Sequence, residues 1–231
     1  MFIDNVTKSH LITQFMHKVY GWMSVGLLTT AGVAYTMFHN IWLMNAILQS
    51  SLLFYGLFFA QIGLVMYLQS SLATLSYQRA SGLFLLYSAL IGVTLSPIFV
   101  IYTMASIAQT FVVAAGMFAS MALYGYITKD DLTKFGNLFM MGLFGLIIAQ
   151  VANRFFASTQ FDYYLSLLGV VLFALLTAYD VQKLKHFGVN MLVHQDNQMG
   201  SKIALMGALT LYLDFINLFL RLLRLMGRKR N

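Results

Sequence analysis

The chain ends in a long apolar stretch, residues 203–226, which reads IALMGALTLYLDFINLFLRLLRLM. As a helix this stretch spans about 36 Å, enough to cross a hydrocarbon core about 30 Å thick. Its polar and small residues recur at three- and four-residue steps and therefore form one stripe: Gly207, Thr210, Asp214, Asn217 and Arg221. A helix that is apolar elsewhere and carries one polar seam is typical of the interior of a membrane bundle.

The composition of the chain indicates a membrane protein. Of its 231 residues, 60% are hydrophobic and 9% are charged, whereas about 25% are charged in soluble domains. The net charge of +7 comes from basic residues beside the apolar runs, where membrane orientation needs them, so we expect lipid and not nucleic acid as a partner. The chain has no cysteine and no cofactor motif, which excludes disulfides and thiolate metal sites.

Uncharged intervals predict the number of membrane spans. Two of them, 19–78 and 80–128, are each long enough for two helices, and three apolar runs follow. The predicted spans are 19–38, 50–69, 81–102, 107–127, 136–155, 163–187 and 203–226. The sequence therefore predicts an all-α polytopic protein with one seven-helix domain, 19–226, between an N-terminal tail, 1–18, and a basic tail, 227–231.

The connections between these spans are also predicted. We expect a turn at 104–106, a helix stop at Gly188 and a loop over 188–202 that contains His194 and Asp196. Asp130 and Asp131 follow a span directly and are expected to cap a helix. Pro97 should kink the third span and free a backbone carbonyl, although a simple packing kink is the commoner role of proline in membrane helices.

The distribution of lysine and arginine predicts the orientation. With strict alternation, eight basic residues lie on the side of the N-terminus, and Arg154 alone lies on the other side before the last helix. Basic loops favour the cytoplasm, so we expect a cytoplasmic N-terminus. Five further basic residues occur within 221–230. They lie outside if the last helix crosses the membrane, and return to the cytoplasm if it is re-entrant; both arrangements remain open.

Two acids lie inside predicted spans. Asp180 falls about 10 Å from the cytoplasmic end of its helix and Asp214 about 16 Å from the same face, on consecutive antiparallel helices, so their carboxyl groups are expected to meet. In a low dielectric they would share one proton and titrate as a coupled pair, which makes a reasonable pH sensor. Alternatively, Lys183 neutralises Asp180, or each acid is a structural group bonded to threonine, tyrosine or asparagine.

Four stretches resemble motifs of the Bax inhibitor family, in the same order along nearly the whole chain. They read GVTLSPIFVIY at 92–102, YGYITKDDL at 124–132, TAYDVQKLK at 177–185 and LYLDFINLF at 211–219. The bacterial inner-membrane branch is the most similar. The resemblance implies two three-helix layers around a central C-terminal helix, and a pH-sensitive calcium leak with an aspartate pair at Asp180 and Asp214.

One feature of the family is missing. In some members, a basic residue at the end of the second helix latches onto the aspartate pair. Here residues 61–78 contain no lysine or arginine, Gln61 stands near where those members carry an acid, and Arg79 is the nearest base.

The first functional hypothesis is a pH-gated cation leak with calcium as the transported ion. Calcium takes six to eight oxygens, and Asp180 and Asp214 with carbonyls and water can form a transient site. Support or path-lining roles are assigned to Thr210, Asn217, Tyr179, Lys183, Arg221 and Pro97.

Two alternatives come from other classes. The chain can be a regulatory protein that binds another membrane protein, such as a protease or a component of stress or cell death, without conducting ions. An intramembrane aspartyl protease would also need two acids. However, Asp214 follows Leu-Tyr-Leu and not Gly-x-Gly, and Pro97 is the only proline, so we expect no enzyme.

Overall fold

The computed structural model describes residues 5–72, 74–192 and 197–230. Within these ranges the chain is helical and contains no β-strand, which confirms the all-α class. The helices are α1 (Asn5–His39), α2 (Ile41–Gln49), α3 (Ser51–Ser70), α4 (Tyr77–Leu95), α5 (Ile98–Ile101), α6 (Met104–Ile127), a 3-10 helix (Leu132–Phe135), α7 (Gly136–Phe156), α8 (Thr159–Leu192) and α9 (Asn197–Met226). The first four residues of the predicted tail, together with His194, Asp196 and Asn231, lie outside the described residues.

Six segments of the described chain are long and apolar enough to cross a membrane. They are Ser51–Ser70, Tyr77–Ile101, Met104–Ile127, Leu132–Phe156, Thr159–Gly188 and Met199–Met226. The remaining predicted span, 19–38, lies within α1, which has 35 residues but is not among the six. The structure thus contains helices at all seven predicted positions, and six of them meet the requirements for a span.

Burial distinguishes the interior helices from the peripheral ones. In the most apolar 18-residue stretch of each helix, 67% of the residues are buried in α9 and 61% in α8, whereas only 12% are buried in α3 and 11% in α7. The last helix therefore lies inside the protein, as its composition predicts. The apolar faces of α3 and α7 are left for lipid.

Two predicted boundaries are wrong. The turn expected at 104–106 lies earlier, because the Thr103 hydroxyl accepts a hydrogen bond from Ser106 N at 3.3 Å and caps the start of α6. Gly188 does not end α8, which continues to Leu192. A Cβ at Gly188 would lie 3.1 Å from Cδ1 of Phe15, so this glycine allows α1 to pack closely.

The described chain divides into two compact units. The first unit comprises residues within 1–102, 188–212 and Arg230, and the second comprises residues within 103–187 and 213–229. Helix α9 therefore contributes its first half to the first unit and its second half to the second.

The first unit is held together by a neutral polar contact between α1, α4 and α9. The fully buried Tyr212 places its hydroxyl 2.7 Å from Oγ1 of Thr30, which in turn donates to the Ser88 carbonyl at 2.8 Å. Helices α1 and α4 approach closely here, since a Cβ at Gly92 would lie 2.6 Å from the Thr30 carbonyl oxygen. Small residues and satisfied hydroxyl groups thus fix this packing.

The predicted break at Pro97 is present between α4 and α5. Proline has no N–H for the Val93 carbonyl, and this carbonyl accepts instead from Ser96, at 3.3 Å from N and 2.8 Å from Oγ. One turn earlier, Nε2 of Gln61 donates to the Leu90 carbonyl at 2.9 Å. The break is therefore stabilised by local hydrogen bonds within the first unit.

The C-terminal tail docks at the start of α6. Thr103 N donates to the Arg228 carbonyl at 3.1 Å, and Arg228 N donates to the Ser106 hydroxyl at 2.8 Å. The tail therefore lies at one end of α6, and the charged loop 129–134 follows its other end. Helix α9, which precedes the tail, is one continuous helix of 30 residues.

Candidate functional site

In the second unit, α8 and the second half of α9 run antiparallel. Three contacts at successive levels set their register, and they join Asp180 with Asp214, Gly169 with Arg221, and Asp162 with Arg224. The two aspartates named from the sequence are thus brought to the same level of the bundle.

The carboxyl groups of Asp180 and Asp214 lie within hydrogen-bonding reach of each other. Asp214 is 6% exposed and Asp180 is partly buried. Oδ2 of Asp214 is buried, and no N–H or O–H group of the described residues donates to it. An ionised carboxylate only accepts hydrogen bonds, whereas a protonated one can donate. One proton shared by the pair would supply the donor that this geometry otherwise lacks.

Lys183 and Tyr179 flank the pair on α8. Nζ of Lys183 lies 5.6 Å from the ring centre of Tyr179, and its charge acts on Asp180 without ion-pair contact in the described chain. The Tyr179 ring packs edge-on against Phe139 of α7, with 5.6 Å between ring centres. Lys183 therefore does not neutralise Asp180 by a direct pair, and Tyr179 anchors α8 to α7.

Three other residues named from the sequence do not contact the acids. The Thr210 hydroxyl donates to the Met206 carbonyl at 3.2 Å, and Nδ2 of Asn217 donates to the Leu213 carbonyl at 2.8 Å. Both side chains thus bond to their own helix. Pro97 belongs to the first unit, whereas both aspartates belong to the second.

Gln182 is a site residue that sequence reasoning missed. It is 3% exposed, donates from Nε2 to the Asp130 carbonyl at 2.7 Å and accepts at Oε1 from Leu132 N at 2.8 Å. It therefore fixes the charged loop to α8 only two residues after Asp180. The available signal was an uncharged polar residue beside an intramembrane acid.

Gly125 was also missed. A Cβ at this position would lie 2.1 Å from the carbonyl oxygen of Ala178, so the backbones of α6 and α8 touch two residues before Asp180. Nothing in the sequence distinguishes this glycine from the other 16, because the signal is the distance between two helices.

The charged loop itself leads into a capped 3-10 helix. The Asp131 carboxylate accepts from Thr133 N at 3.0 Å and from the Thr133 hydroxyl, and these hydrogen bonds lower the pKa of the exposed Asp131 below its usual range. The predicted capping role of Asp131 is confirmed.

The acid pair does not form a complete metal site. Within the part of the chain that the structure describes, no group of three or more histidine or acidic side chains is arranged to hold a metal ion. Calcium requires six to eight oxygens, so two carboxylates can serve only as a transient site completed by carbonyls and water.

Comparison with known proteins shows similarity to one family over nearly the whole chain. A family model described as "Inhibitor of apoptosis-promoting Bax1" matches residues 12–231. The inner membrane protein YbhL of Escherichia coli K12 is 48% identical over 216 residues, which cover 94% of this chain and 92% of YbhL.

Two further relatives have names that state no function. A protein of Borreliella burgdorferi is 46% identical over 218 residues, covering 94% of this chain and 93% of its own. A protein of Rickettsia prowazekii is 38% identical over 229 residues, covering 98% and 94%. The matches therefore include both units and both acid-bearing helices.

Proposed function

The chain is a multi-pass membrane protein of the Bax inhibitor family, and from this premise we propose that it is a pH-sensitive cation leak channel gated by Asp180 and Asp214. The observation that carries the proposal is the buried Oδ2 of Asp214, to which no group of the described residues donates a hydrogen bond; a proton shared with Asp180 would supply that donor.

The gate follows from the charge of this pair. With one shared proton, the two carboxyl groups attract each other and hold α8 against α9. Loss of that proton leaves two negative charges in contact at low dielectric, where their repulsion is strong. The helices are then pushed apart and a cation is drawn in, so deprotonation opens the path and protonation closes it.

We propose calcium as the transported ion. It is a hard cation that prefers carboxylate, carbonyl and water oxygens, and one divalent ion neutralises both charges of the open pair. The pair is therefore a transient stop on a path, and the protein needs neither a resident metal nor an enzymatic activity.

We propose the seven-span arrangement, with α1 as the first span and two three-helix layers around α9, in a bacterial inner membrane. Support for the span count comes from the tail, which docks at the end of α6 opposite the charged loop 129–134. We propose a cytoplasmic N-terminus because eight lysine and arginine residues lie on its side of the membrane. The other side has only six, even when the five basic residues of the C-terminal region are counted there.

The gate we propose has no basic latch. Gln61 bonds to α4 in the first unit through the Leu90 carbonyl and the Thr94 hydroxyl, at 2.9 and 3.1 Å, and the Arg79 side chain is exposed. The shared proton alone then sets the pH response.

The test is calcium flux in proteoliposomes while pH is stepped from about 5 to 8. Wild type should leak with a pH midpoint, and Asp180→Asn and Asp214→Asn should each lose that midpoint because the remaining acid has no second carboxyl group with which to share a proton. Asp131→Asn is the matched control, since it removes an exposed acid from the same unit and should keep the wild-type midpoint.

Two results would contradict the proposal. An unchanged midpoint in the double variant Asp180→Asn, Asp214→Asn would exclude the pair as the gate. Absence of flux at every pH would exclude conduction. Co-purification of one stoichiometric membrane protein would then support the regulatory alternative, in which the partner is a protease or a component of stress or cell death.

A further inference from the structure

The second half of α9 contains another buried ionisable group, which the gate does not use. Arg221 is 9% exposed, and its Nη1 is buried with no acceptor among the described residues. It follows Asp214 by seven residues, which places it on the same helical face about 10 Å further along the axis.

The packing around Arg221 holds it between two helices. A Cβ at Gly169 of α8 would lie 2.9 Å from both Cδ and Nε of Arg221. Because Gly169 has no side chain, there is room for the aliphatic part of Arg221, and the guanidinium is held between α8 and α9.

The negative charge nearest to Arg221 is that of Asp162, which already forms an ion pair with another arginine. Oδ1 of Asp162, on α8, forms an ion pair with Nη1 of Arg224 at 2.7 Å, and both side chains are partly exposed. Arg224 lies one turn beyond Arg221 and adds a second positive charge nearby. Among the described residues, no counter-charge therefore contacts Arg221.

We propose that Arg221 is a specificity-determining charge barrier on the cation path, beyond the Asp180–Asp214 gate. This inference rests on the proposed function. A cation that leaves the pair towards the C-terminal end of α9 must pass an unpaired positive charge in a low dielectric, and such charges exclude cations from pores. The barrier keeps the flux through an open gate slow.

The test measures calcium flux at pH about 8 and, in planar bilayers with a KCl gradient, the cation-to-anion permeability ratio. Arg221→Gln should raise the flux about tenfold and raise the ratio, because neutralisation removes the repulsion. The pH dependence should remain, because the acid pair is intact, and its midpoint should rise, because a positive charge about 10 Å away is removed. Removing an unpaired buried charge should not prevent folding.

Two variants separate charge from shape. Arg221→Lys keeps the charge and should keep most of the barrier, whereas a merely structural arginine would not be rescued by lysine. Arg154→Gln removes an exposed arginine from the last turn of α7 and changes the net charge equally, so it should leave both flux and permeability ratio as in wild type.

The counter-charge gives an independent test. Arg224→Gln releases Asp162, which can then approach Arg221, so the flux should rise about threefold; Asp162→Asn should lower it. In the Arg221→Gln background, neither change should have an effect.

The outcomes distinguish this inference from the function on which it rests. If Asp214→Asn abolishes the pH midpoint but Arg221→Gln changes neither flux nor permeability ratio, the barrier is excluded and the gate stands. If no variant and no pH gives flux, both are excluded.

Discussion

The two halves of α9 bury polar groups of different kinds, although Tyr212 and Asp214 are only two residues apart. In the first unit, the buried groups are neutral and satisfied, with the Tyr212 hydroxyl 2.7 Å from that of Thr30. In the second unit, Asp214 and Arg221 are ionisable, and each keeps a buried atom without a partner among the described residues.

This difference separates a structural network from the proposed gate. A satisfied neutral hydrogen bond stabilises a fold by about 1 kcal/mol, whereas an unsatisfied buried group costs about 1–3 kcal/mol and more if charged. Unpaired ionisable groups inside a membrane therefore persist where the charge has a use. Sequence position alone does not separate the two halves, but hydrogen-bond satisfaction does.

The largest effect is expected where helix backbones touch. Gly125→Ala would place a Cβ 2.1 Å from the Ala178 carbonyl oxygen, and a backbone atom cannot rotate away. We expect a loss of roughly 3 kcal/mol or more, together with loss of the pH midpoint, because α8 is displaced beside Asp180. Thermal unfolding in detergent and calcium flux measure the two effects.

The first unit supplies the counterpart to this variant. Gly92→Ala should also destabilise, since its Cβ would lie 2.6 Å from the Thr30 carbonyl oxygen, but it should spare the midpoint. Gly116→Ala in α6 meets nothing within 4 Å and should not destabilise. A midpoint lost in Gly92→Ala but kept in Gly125→Ala would reverse the assignment of function to the second unit.

Much of this fold could be predicted from hydropathy and charge alone. Uncharged intervals place helices at all seven predicted positions because burying a backbone in lipid requires helices of a fixed length. The pairing of Asp180 with Asp214 follows from their similar depth on consecutive helices. The boundary at Thr103 was missed because a capping hydroxyl extends α6 by three residues beyond the apolar signal.

The rest depends on distances between helices, which a single sequence does not contain. Gly188 carries the residue type of a helix stop, yet it serves as a contact surface for Phe15. Arg221 was included in the polar seam by its spacing. Its lack of a partner among the described residues depends on Gly169 and on the ion pair of Asp162 with Arg224. Sequence periodicity identifies the residues that share a helix face, and the packing of the neighbouring helices determines what that face contacts.

The next effect concerns the pH dependence of stability. Raising the pH removes the proton shared by Asp180 and Asp214 and leaves two buried charges in contact, so wild-type thermal stability should fall as pH rises. We expect this loss of stability to be roughly 1–3 kcal/mol. Asp214→Asn supplies an N–H donor to Asp180 and should abolish the loss. Asp162→Asn removes only a partly exposed ion pair and should leave the slope intact. A slope that persists in Asp214→Asn would show that other groups cause it.

A smaller effect is expected from the neutral network of the first unit. Thr30→Val removes the hydroxyl that meets Tyr212 and leaves the buried tyrosine O–H with one partner fewer, at a cost of about 1 kcal/mol. The single variant Tyr212→Phe removes the tyrosine O–H itself. It should lower the stability less than Thr30→Val does, since Thr30 still donates to the Ser88 carbonyl. Neither variant should move the pH midpoint of flux. A shifted midpoint in Tyr212→Phe would show that the two halves of α9 are coupled.

The smallest effect is expected at the exposed cap of the charged loop. Hydrogen bonds from Thr133 lower the pKa of Asp131, so the ionised form stabilises the folded state above the unfolded pKa. That contribution is lost as pH falls through the lower folded pKa. Asp131→Ala should therefore reduce thermal stability slightly at neutral pH, and the difference from wild type should vanish in acid. The flux midpoint should not change, because the loop is held to α8 by Gln182 through backbone groups. A midpoint that shifts with Asp131→Ala, but not with Asp131→Asn, would extend the functional region from the buried pair to the capped loop.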